Sequence, residues 1–299
     1  SILVMRNGGI GDLIYLTPIL REMKRRWPQV SLGVAARPER LAVFQGLGYP
    51  DFVESVPVRT STATKYHAVA HFENLIELER ERHYVDVMAD SLGLELPTEA
   101  KGCEYLVSLA ERAWAAEKYP RTSKPRVAIQ VRAASPYRTV ALHVVGTVAM
   151  HLSEMGAEIY LLGAGNDLPG PRRMDGMGVA DVWNLTLDGL SFRQSVAVMS
   201  QCDAMLGPDS ALLVAAGALG MPAVGMFAAI RADMRTRYHP SVTVISPAAA
   251  CAPCHFHESA GALYPKDGPC AKTGRCEPLA GLGSMRVAST VMELVNRAK

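Results

Sequence analysis

The sequence has no run of about 18 consecutive apolar residues, the length that a membrane-spanning helix needs. It also has little net charge, and the formal value of +2 does not by itself argue for a nucleic-acid partner. At the N-terminus no basic stretch precedes a long apolar one, so residues 2–5 read as a core strand and not as a signal peptide. Because 49% of the residues are hydrophobic and 20% are charged, we expect a soluble, cytoplasmic globular protein.

Short internal repeats are lacking too, but short apolar strands alternate with helices in both halves of the chain. The polar, proline-punctuated residues 119–125 read as a linker, and the alternation restarts at residue 126. Parallel sheets covered by helices on both faces produce this pattern. We therefore predict an α/β protein with domains at residues 1–122 and 123–299. Two such Rossmann-like halves facing across a cleft would bind ligands at the carboxyl ends of both sheets.

Local signals predict where several helices begin. Asn74 followed by Glu77, and Ser191 followed by Gln194, are capping-box patterns. Pro18 lies inside the first predicted helix, residues 12–27, and should kink that helix or delay its start.

A glycine-rich turn, Asn7-Gly8-Gly9-Ile10-Gly11-Asp12, separates the first strand from the first helix. Such a turn lets the backbone approach a ligand, and the helix N-terminus favours negative charge there. The spacing departs from G-x-G-x-x-G followed by an acidic residue about twenty positions later, which argues against a nicotinamide cofactor. Asp12 has two interpretations at this stage: it caps the helix, or it points into the cleft as a general base.

A second turn, Gly207-Pro208-Asp209-Ser210, opens a helix that is apolar on nearly every face and so should be buried. The amides at that helix start, together with the Ser210 hydroxyl, form a ready cradle for phosphate. An ordinary core helix with a capping residue would have the same local sequence pattern.

Four of the six cysteines cluster near the C-terminus as Cys251-x2-Cys254-x15-Cys270-x5-Cys276. This spacing suits tetrahedral coordination by four sulfurs, with zinc as the default metal. Disulfides or free thiols are the alternatives. We expect any such cysteine-rich loop, which lies in the C-terminal domain, to be structural and not catalytic.

Residues 6–28, RNGGIGDLIYLTPILREMKRRWP, and residues 206–227, LGPDSALLVAAGALGMPAVGMF, resemble the two signature regions of glycosyltransferase family 9, the heptosyltransferase-type enzymes. The resemblance implies the two-domain GT-B fold and an inverting transfer of a sugar from a nucleotide-diphosphate donor. It implies Asp12 as the general base and no catalytic metal or other catalytic cofactor. By this resemblance the donor contacts are Arg138, Asp167, Asp209, Ser210 and the backbone of Ala211, and the two turns add Gly11 and Gly207.

On the acceptor side, Glu73 ends a predicted strand in the half where this architecture places acceptor contacts. The acceptor itself stays open between a glycan, lipopolysaccharide, a protein side chain and a modified base in nucleic acid. The cysteine loop resembles that of related protein-modifying heptosyltransferases, which adds iron to zinc as a candidate metal. Oligomerisation is left open.

Several positions depart from the family pattern, and two of them bear on the donor. Ala211 stands where a glycine often follows the Asp-Ser pair, and Val214 stands where a histidine is frequent. The donor sugar, heptose or a related one, is therefore open. Two other functions remain alternatives: a nucleotide-sugar epimerase or hydrolase of the same architecture, and a non-catalytic protein that binds nucleotide sugars.

Overall fold

The computed structural model describes residues 1–77, 79–165, 167–173, 181–255 and 268–297. The strands are β1 (Ile2–Met5), β2 (Leu32–Ala36), β3 (Phe52–Ser55), β4 (Ala68–His71), β5 (Arg126–Gln130), β6 (Glu158–Leu162), β7 (Val182–Asn184), β8 (Ala204–Pro208), β9 (Ala223–Met226) and β10 (Val242–Ile245). The α-helices are α1 (Ile10–Arg26), α2 (Thr60–Ala63), α3 (Tyr84–Ser91), α4 (Leu109–Lys118), α5 (Leu142–Glu154), α6 (Phe192–Met199), α7 (Ala211–Ala218), α8 (Asp233–Thr236), α9 (Gly268–Thr273), α10 (Glu277–Ala280) and α11 (Ser284–Arg297).

The chain forms two compact units. One comprises Ser1–Leu106 with Asp233–His239, and the other comprises Val107–Ala232 with Pro240–Lys299. The boundary predicted between residues 122 and 123 falls after α4, whereas the structure groups α4 with the second unit. There α4 packs on α6, and Glu111 of α4 forms an ion pair of 2.5 Å with Arg193 of α6.

The first unit has a four-stranded parallel sheet with the strand order β3-β2-β1-β4. Its helix α1 is buried along most of its length and contains Pro18 without interruption. A proline has no N–H for the carbonyl one turn earlier. Here the Thr17 hydroxyl donates to the Ile14 carbonyl at 2.8 Å, so that carbonyl keeps a partner. The expected delay of the helix start is absent, since α1 begins at Ile10.

The second unit has a six-stranded parallel sheet with the order β10-β9-β8-β5-β6-β7. From the β7 edge, this is the Rossmann order 3-2-1-4-5-6, and the order reverses between β5 and β8. Helix α7 is buried from Leu212 to Gly217, as its apolar sequence predicted. The predicted α/β class with Rossmann-like halves is thus confirmed for each unit separately.

The capping-box pattern at Ser191 and Gln194 is confirmed as the start of α6, with both reciprocal hydrogen bonds present. The pattern at Asn74 is wrong, because Asn74 has a left-handed φ of 59° and residues 73–77 form turns. An N-cap residue needs extended backbone instead. No helix in the described ranges is long and apolar enough to cross a membrane.

Candidate functional site

The glycine turn of the first unit lies where its strand order reverses, between β1 and β4. Asp12 is in the first turn of α1, and its Oδ2 accepts the Gly9 N–H at 2.7 Å. The same oxygen accepts a hydrogen bond of 3.0 Å from Nη2 of Arg6. The capping interpretation of Asp12 is therefore confirmed. The carboxylate remains 23% exposed, so capping does not remove it from a ligand's reach.

Arg6, which was not among the site residues predicted from the sequence, holds this turn in place. Its side chain is only 2% exposed. Besides Asp12, it donates to the Phe72 carbonyl at 2.7 Å and pairs with Glu77 Oε1 at 2.8 Å. Burial alone would lower the pKa of Arg6, but the Asp12 and Glu77 carboxylates outweigh it and raise that pKa above its ordinary value. The guanidinium is therefore charged throughout the working pH range.

Glu73 follows β4, directly beside the end of β1. Its Oε1 accepts the backbone N–H of Asn7, so this carboxylate supports the glycine turn from the side. Arg40 supports it from the other side by donating to the carbonyls of Asn7, at 3.0 Å, and Gly8. The structure thus brings Glu73 next to the turn that carries Asp12. Gly11 also lies in this unit, while the other predicted donor residues lie in the second unit.

In the second unit, Asp209 and Ser210 follow β8 at the point where the strand order reverses. Ligands bind at such a point in doubly wound sheets, outside the carboxyl ends of the strands. Asp209 is buried. Ser210 is the N-cap residue of α7, but its side chain makes no capping hydrogen bond to that helix. Its hydroxyl donates instead to Oε1 of Gln130, the last residue of β5.

Arg138 reaches the same place from the loop that follows β5. Its Nη1 lies 3.2 Å from the Asp209 carbonyl oxygen and 3.3 Å from Asp209 Oδ2. The side chain is 17% exposed, and its buried Nε has no hydrogen-bond partner among the described residues. An arginine with remaining donors beside a helix N-terminus is chemically suited to phosphate.

Gly207 allows β5 and β8 to approach at this point. A Cβ atom there would lie 2.6 Å from Met205 Cε and 3.2 Å from Gln130 Cβ. The predicted cluster of Gly207, Asp209, Ser210 and Arg138 is therefore brought together, with Ala211 as the first residue of α7. Gln130 was missed because its partner, Ser210, lies 80 positions away in the sequence.

Asp167 lies in the turn after β6, the strand next to β5. Its Oδ2 accepts the Ala164 N–H at 2.7 Å, so in this structure the carboxylate closes its own turn. Gly163 is needed for that closure, since a Cβ there would lie 2.7 Å from Asp167 Oδ2. The neighbouring Asn166 is outside the described residues.

The predicted four-cysteine metal clip is not supported by the structure. Within the described ranges, which include Cys251, Cys254, Cys270 and Cys276, no group of three or more potential ligands could hold a metal ion. Cys276 packs in the hydrophobic core of the second unit, whereas Cys251 is exposed. Burial is the main cause that raises the pKa of Cys276 to about 11, and the other three thiols of the cluster add smaller contributions in the same direction. Residues 256–267, between the two cysteine pairs, are outside the described residues.

Comparisons with known proteins agree with this architecture. The model of glycosyltransferase family 9 (heptosyltransferase) matches residues 58–264. A search of curated proteins finds no match.

Several solved structures are similar over nearly the whole chain. The Escherichia coli ADP-heptose lipopolysaccharide heptosyltransferase II is 15% identical, with a TM-score of 0.68, and 99% of each chain is covered. A family 9 glycosyl transferase from Veillonella parvula is also 15% identical, with a TM-score of 0.73 and coverage of 99% and 97%. The iron-containing dodecameric glycosyltransferase TibC from enterotoxigenic E. coli is 14% identical, with a TM-score of 0.69, covering 100% of this chain and 76% of TibC. At these identities, the likeness establishes the fold.

Proposed function

Because the chain belongs to glycosyltransferase family 9, with residues 58–264 matched, we propose that it is an inverting enzyme of that family. It moves a sugar from a nucleotide-diphosphate donor to an acceptor hydroxyl. Membership of the family makes the chain a glycosyltransferase. We propose in addition its stereochemistry, its catalytic base and its two substrates.

The observation that carries the proposal is the cluster at the reversal point of the second sheet. Arg138 and Asp209 lie 3.3 Å apart there, with Ser210 at the N-terminus of α7. The first N–H groups of a helix lack partners within the helix, and its dipole favours negative charge. A donor pyrophosphate would be held by Arg138, by the Ser210 hydroxyl and by the backbone at Ala211. Asp167, in the turn after β6, is the candidate contact to the nucleoside.

Asp12 supplies the proposed base in the first unit. It would take the proton of the acceptor hydroxyl as that oxygen bonds to the anomeric carbon. The bond between that carbon and the phosphate oxygen breaks, and its electron pair leaves with the nucleoside diphosphate. Attack from the opposite face inverts the anomeric configuration. Within the described residues both hydrogen bonds of Asp12 use Oδ2, which leaves Oδ1 to receive the proton.

The proposed chemistry calls on no catalytic metal. Charge on the leaving diphosphate is offset by Arg138 and the N-terminus of α7. Gly11, in the first turn of α1, is the remaining candidate for a donor contact, through its backbone.

ADP-heptose is the first donor to test. A structure of TibC contains bound ADP-D-β-D-heptose, and the E. coli enzyme is an ADP-heptose lipopolysaccharide heptosyltransferase. Val214 stands at the position where a histidine is frequent in the family, and its apolar side chain offers no polar contact. A related nucleotide sugar is accordingly the second choice. The acceptor would approach Glu73, and it is a glycan, a lipopolysaccharide core, a protein or a modified nucleic acid.

The test is a turnover assay with ADP-heptose and other nucleotide sugars, read by mass spectrometry of the products. Asp12→Asn keeps the size of the side chain and an oxygen for the Gly9 N–H, but it removes the base. We expect turnover to fall by about 100-fold or more, with donor affinity unchanged. Unchanged turnover in this variant would exclude Asp12 as the base.

The same assay separates the other functions. Donor breakdown without transfer to any acceptor would indicate a hydrolase, and an interconverted donor would indicate an epimerase. Tight donor binding measured by calorimetry, without any turnover in this assay, would indicate a binding protein.

A structural zinc or iron ion at Cys251, Cys254, Cys270 and Cys276 is a separate proposal. It is supported by the cysteine spacing and by the description of TibC as iron-containing; the described geometry does not fit such a site. Metal analysis of the purified protein, with Cys254→Ser as the matched variant, tests it. A stoichiometric metal that the variant loses would support the site, and a metal-free wild-type protein would reject it.

A further inference from the structure

Ser210 and Gln130 form a hydrogen bond whose direction is determined by a third group. Nε2 of Gln130 donates to the Arg132 carbonyl oxygen at 2.9 Å. A carbonyl oxygen can only accept, so the amide of Gln130 must present Oε1 to Ser210. The Ser210 hydroxyl is therefore the donor in its contact with Gln130.

A serine hydroxyl has one proton to donate. Phosphate oxygens at neutral pH are acceptors, so they compete with Gln130 Oε1 for that single proton. In the observed arrangement the hydroxyl presents only lone pairs to an approaching phosphate. A diphosphate can be bound by Ser210 only after the proton turns away from Gln130.

The backbone keeps Gln130 in this position. It ends β5, whose register pairs Ile129 with Leu206, so Gln130 lies beside Gly207 of β8. The Cβ of Gln130 lies 3.2 Å from where a Cβ on Gly207 would be. Close approach of the two strands thus brings the Gln130 amide within reach of Ser210, just beyond the end of β8.

We infer that Gln130 is a positioning residue that competes with the donor's diphosphate for the Ser210 proton and thereby weakens nucleotide binding. This inference rests on the proposed donor site. Each binding event exchanges the Ser210–Gln130 hydrogen bond for one from Ser210 to phosphate. The exchange limits donor affinity and, for the same reason, favours release of the nucleoside diphosphate after transfer.

The test measures the affinity for ADP, by calorimetry, in the wild-type protein and three variants. Gln130→Met keeps the length of the side chain but removes the amide oxygen, and we expect it to bind ADP about fivefold more tightly, the equivalent of one neutral hydrogen bond. Ser210→Ala should bind more weakly. The double variant should match Ser210→Ala, because without the hydroxyl there is nothing for Gln130 to hold.

Gln194→Ala is the matched control. Gln194 also pairs with a serine in this unit, Ser191, but at the N-terminus of α6, and we expect no change in ADP affinity. Gln130→Ala provides a second variant if methionine crowds the strand pair, and thermal unfolding checks that each variant is folded.

Three results would overturn the inference, and they are distinguishable. If wild-type protein binds ADP and Ser210→Ala weakens it, but both Gln130 variants bind equally or more weakly, the competition is refuted while the donor site stands. If folded wild-type protein binds neither ADP nor the other common nucleoside diphosphates, both the donor site and the competition fail. Tighter binding in Gln130→Met that persists in the double variant would also refute it, since Gln130 would then act without Ser210.

Discussion

Arg6 and Asp12 form an ion pair in which Nη2 of the guanidinium lies 3.0 Å from Oδ2 of the carboxylate. That oxygen also accepts a hydrogen bond from the Gly9 N–H. The guanidinium and the backbone N–H therefore both bind the same carboxylate oxygen. The two interpretations of Asp12, helix cap and proposed base, are therefore compatible. One oxygen fixes the side chain, and the other is available for chemistry.

We predict that Arg6→Met destabilises the protein by about 3–5 kcal/mol, because removing a buried cation leaves its carboxylate partners unpaired. Asp12 and Glu77 would both lose their contact with Nη2, and the Phe72 carbonyl would lose its donor. Thermal unfolding followed by circular dichroism measures the effect as a lower midpoint.

Arg25→Met is the control for this prediction. Arg25 also pairs with a carboxylate, Glu22, but its side chain is 69% exposed. Exposed ion pairs contribute about 0–1 kcal/mol, so the midpoint should change little. Equal losses in the two variants would contradict a special role for the buried Arg6.

We predict that Gly8→Ala impairs both stability and turnover. A Cβ at Gly8 would lie closer than 3.0 Å to the Asp12 carboxylate and to the Arg6 guanidinium, so the ion pair must shift. Gly9→Ala is the matched variant, since a Cβ there lies 3.6 Å from Asp12 Oδ2, an ordinary contact. Turnover and thermal midpoint should fall clearly for Gly8→Ala only. If both alanines were tolerated, the turn would be less tightly packed than described.

The contrast between the two capping-box patterns explains what local sequence can predict. Ser191 and Gln194 satisfy each other within one turn of α6, so four residues contain the whole signal. The Glu77 side chain instead pairs with Arg6, 71 positions earlier in the chain. The first helix after this region, α3, begins at Tyr84, where the His83 side chain accepts the Val85 N–H. A long-range ion pair overrode the local pattern.

The same distinction applies to the site. Asp12, Asp209 and Ser210 could be named as candidates from the sequence because helix starts after strands are local signals. Arg6 and Gln130 were missed, because their importance depends on groups that only the folded sheets bring near. An arginine directly after a buried strand, at the edge where ligands bind, was a signal that could have identified Arg6.

The division of the chain into two units could not be predicted completely from local sequence patterns. The segment Asp233–His239 belongs to the first unit although it follows most of the second in sequence. Tyr15 of α1 donates to the Arg235 carbonyl at 3.0 Å, and Tyr238 donates to the Asp86 carboxylate at 2.9 Å. Such a return of the chain depends on tertiary contacts, so a single linker at residues 119–125 was the simplest prediction.

We predict that Arg138→Ala raises the KM for the donor by about tenfold or more, because the proposed charge-assisted contact to phosphate would be lost. Arg138→Lys should lose less, since the charge remains but the bidentate fork is absent. Steady-state kinetics with varied donor measures both.

Arg121→Ala is the control. Arg121 pairs with Asp203 at 2.5 Å, just before β8, whereas Arg138 pairs with Asp209 just after it. The two ion pairs therefore lie at opposite ends of one strand, and only the second is at the carboxyl edge. A similar rise in KM for both variants would indicate a general loss of structure and not a phosphate contact.

The Glu111–Arg193 ion pair gives the second unit a defined response to acid. Hydrogen bonding from Arg193 is the largest of the effects that lower the pKa of Glu111, to about 2 from an ordinary 4.5. A carboxyl group whose pKa is lower in the folded state stabilises the fold above its unfolded pKa, and loses that effect as pH falls through the folded value. We therefore expect Glu111→Gln to be less stable than wild type by about 1–2 kcal/mol at pH 7, allowing for partial solvent screening. The difference between the two proteins in free energy of unfolding should shrink between pH 4.5 and pH 2.

Urea unfolding at several pH values measures this difference. Glu117→Gln, at an exposed position on the same helix, is the control and should show no comparable difference. A difference that stays constant down to pH 2 would show that Glu111 stabilises α4 through packing or capping, and that its charge is not what matters.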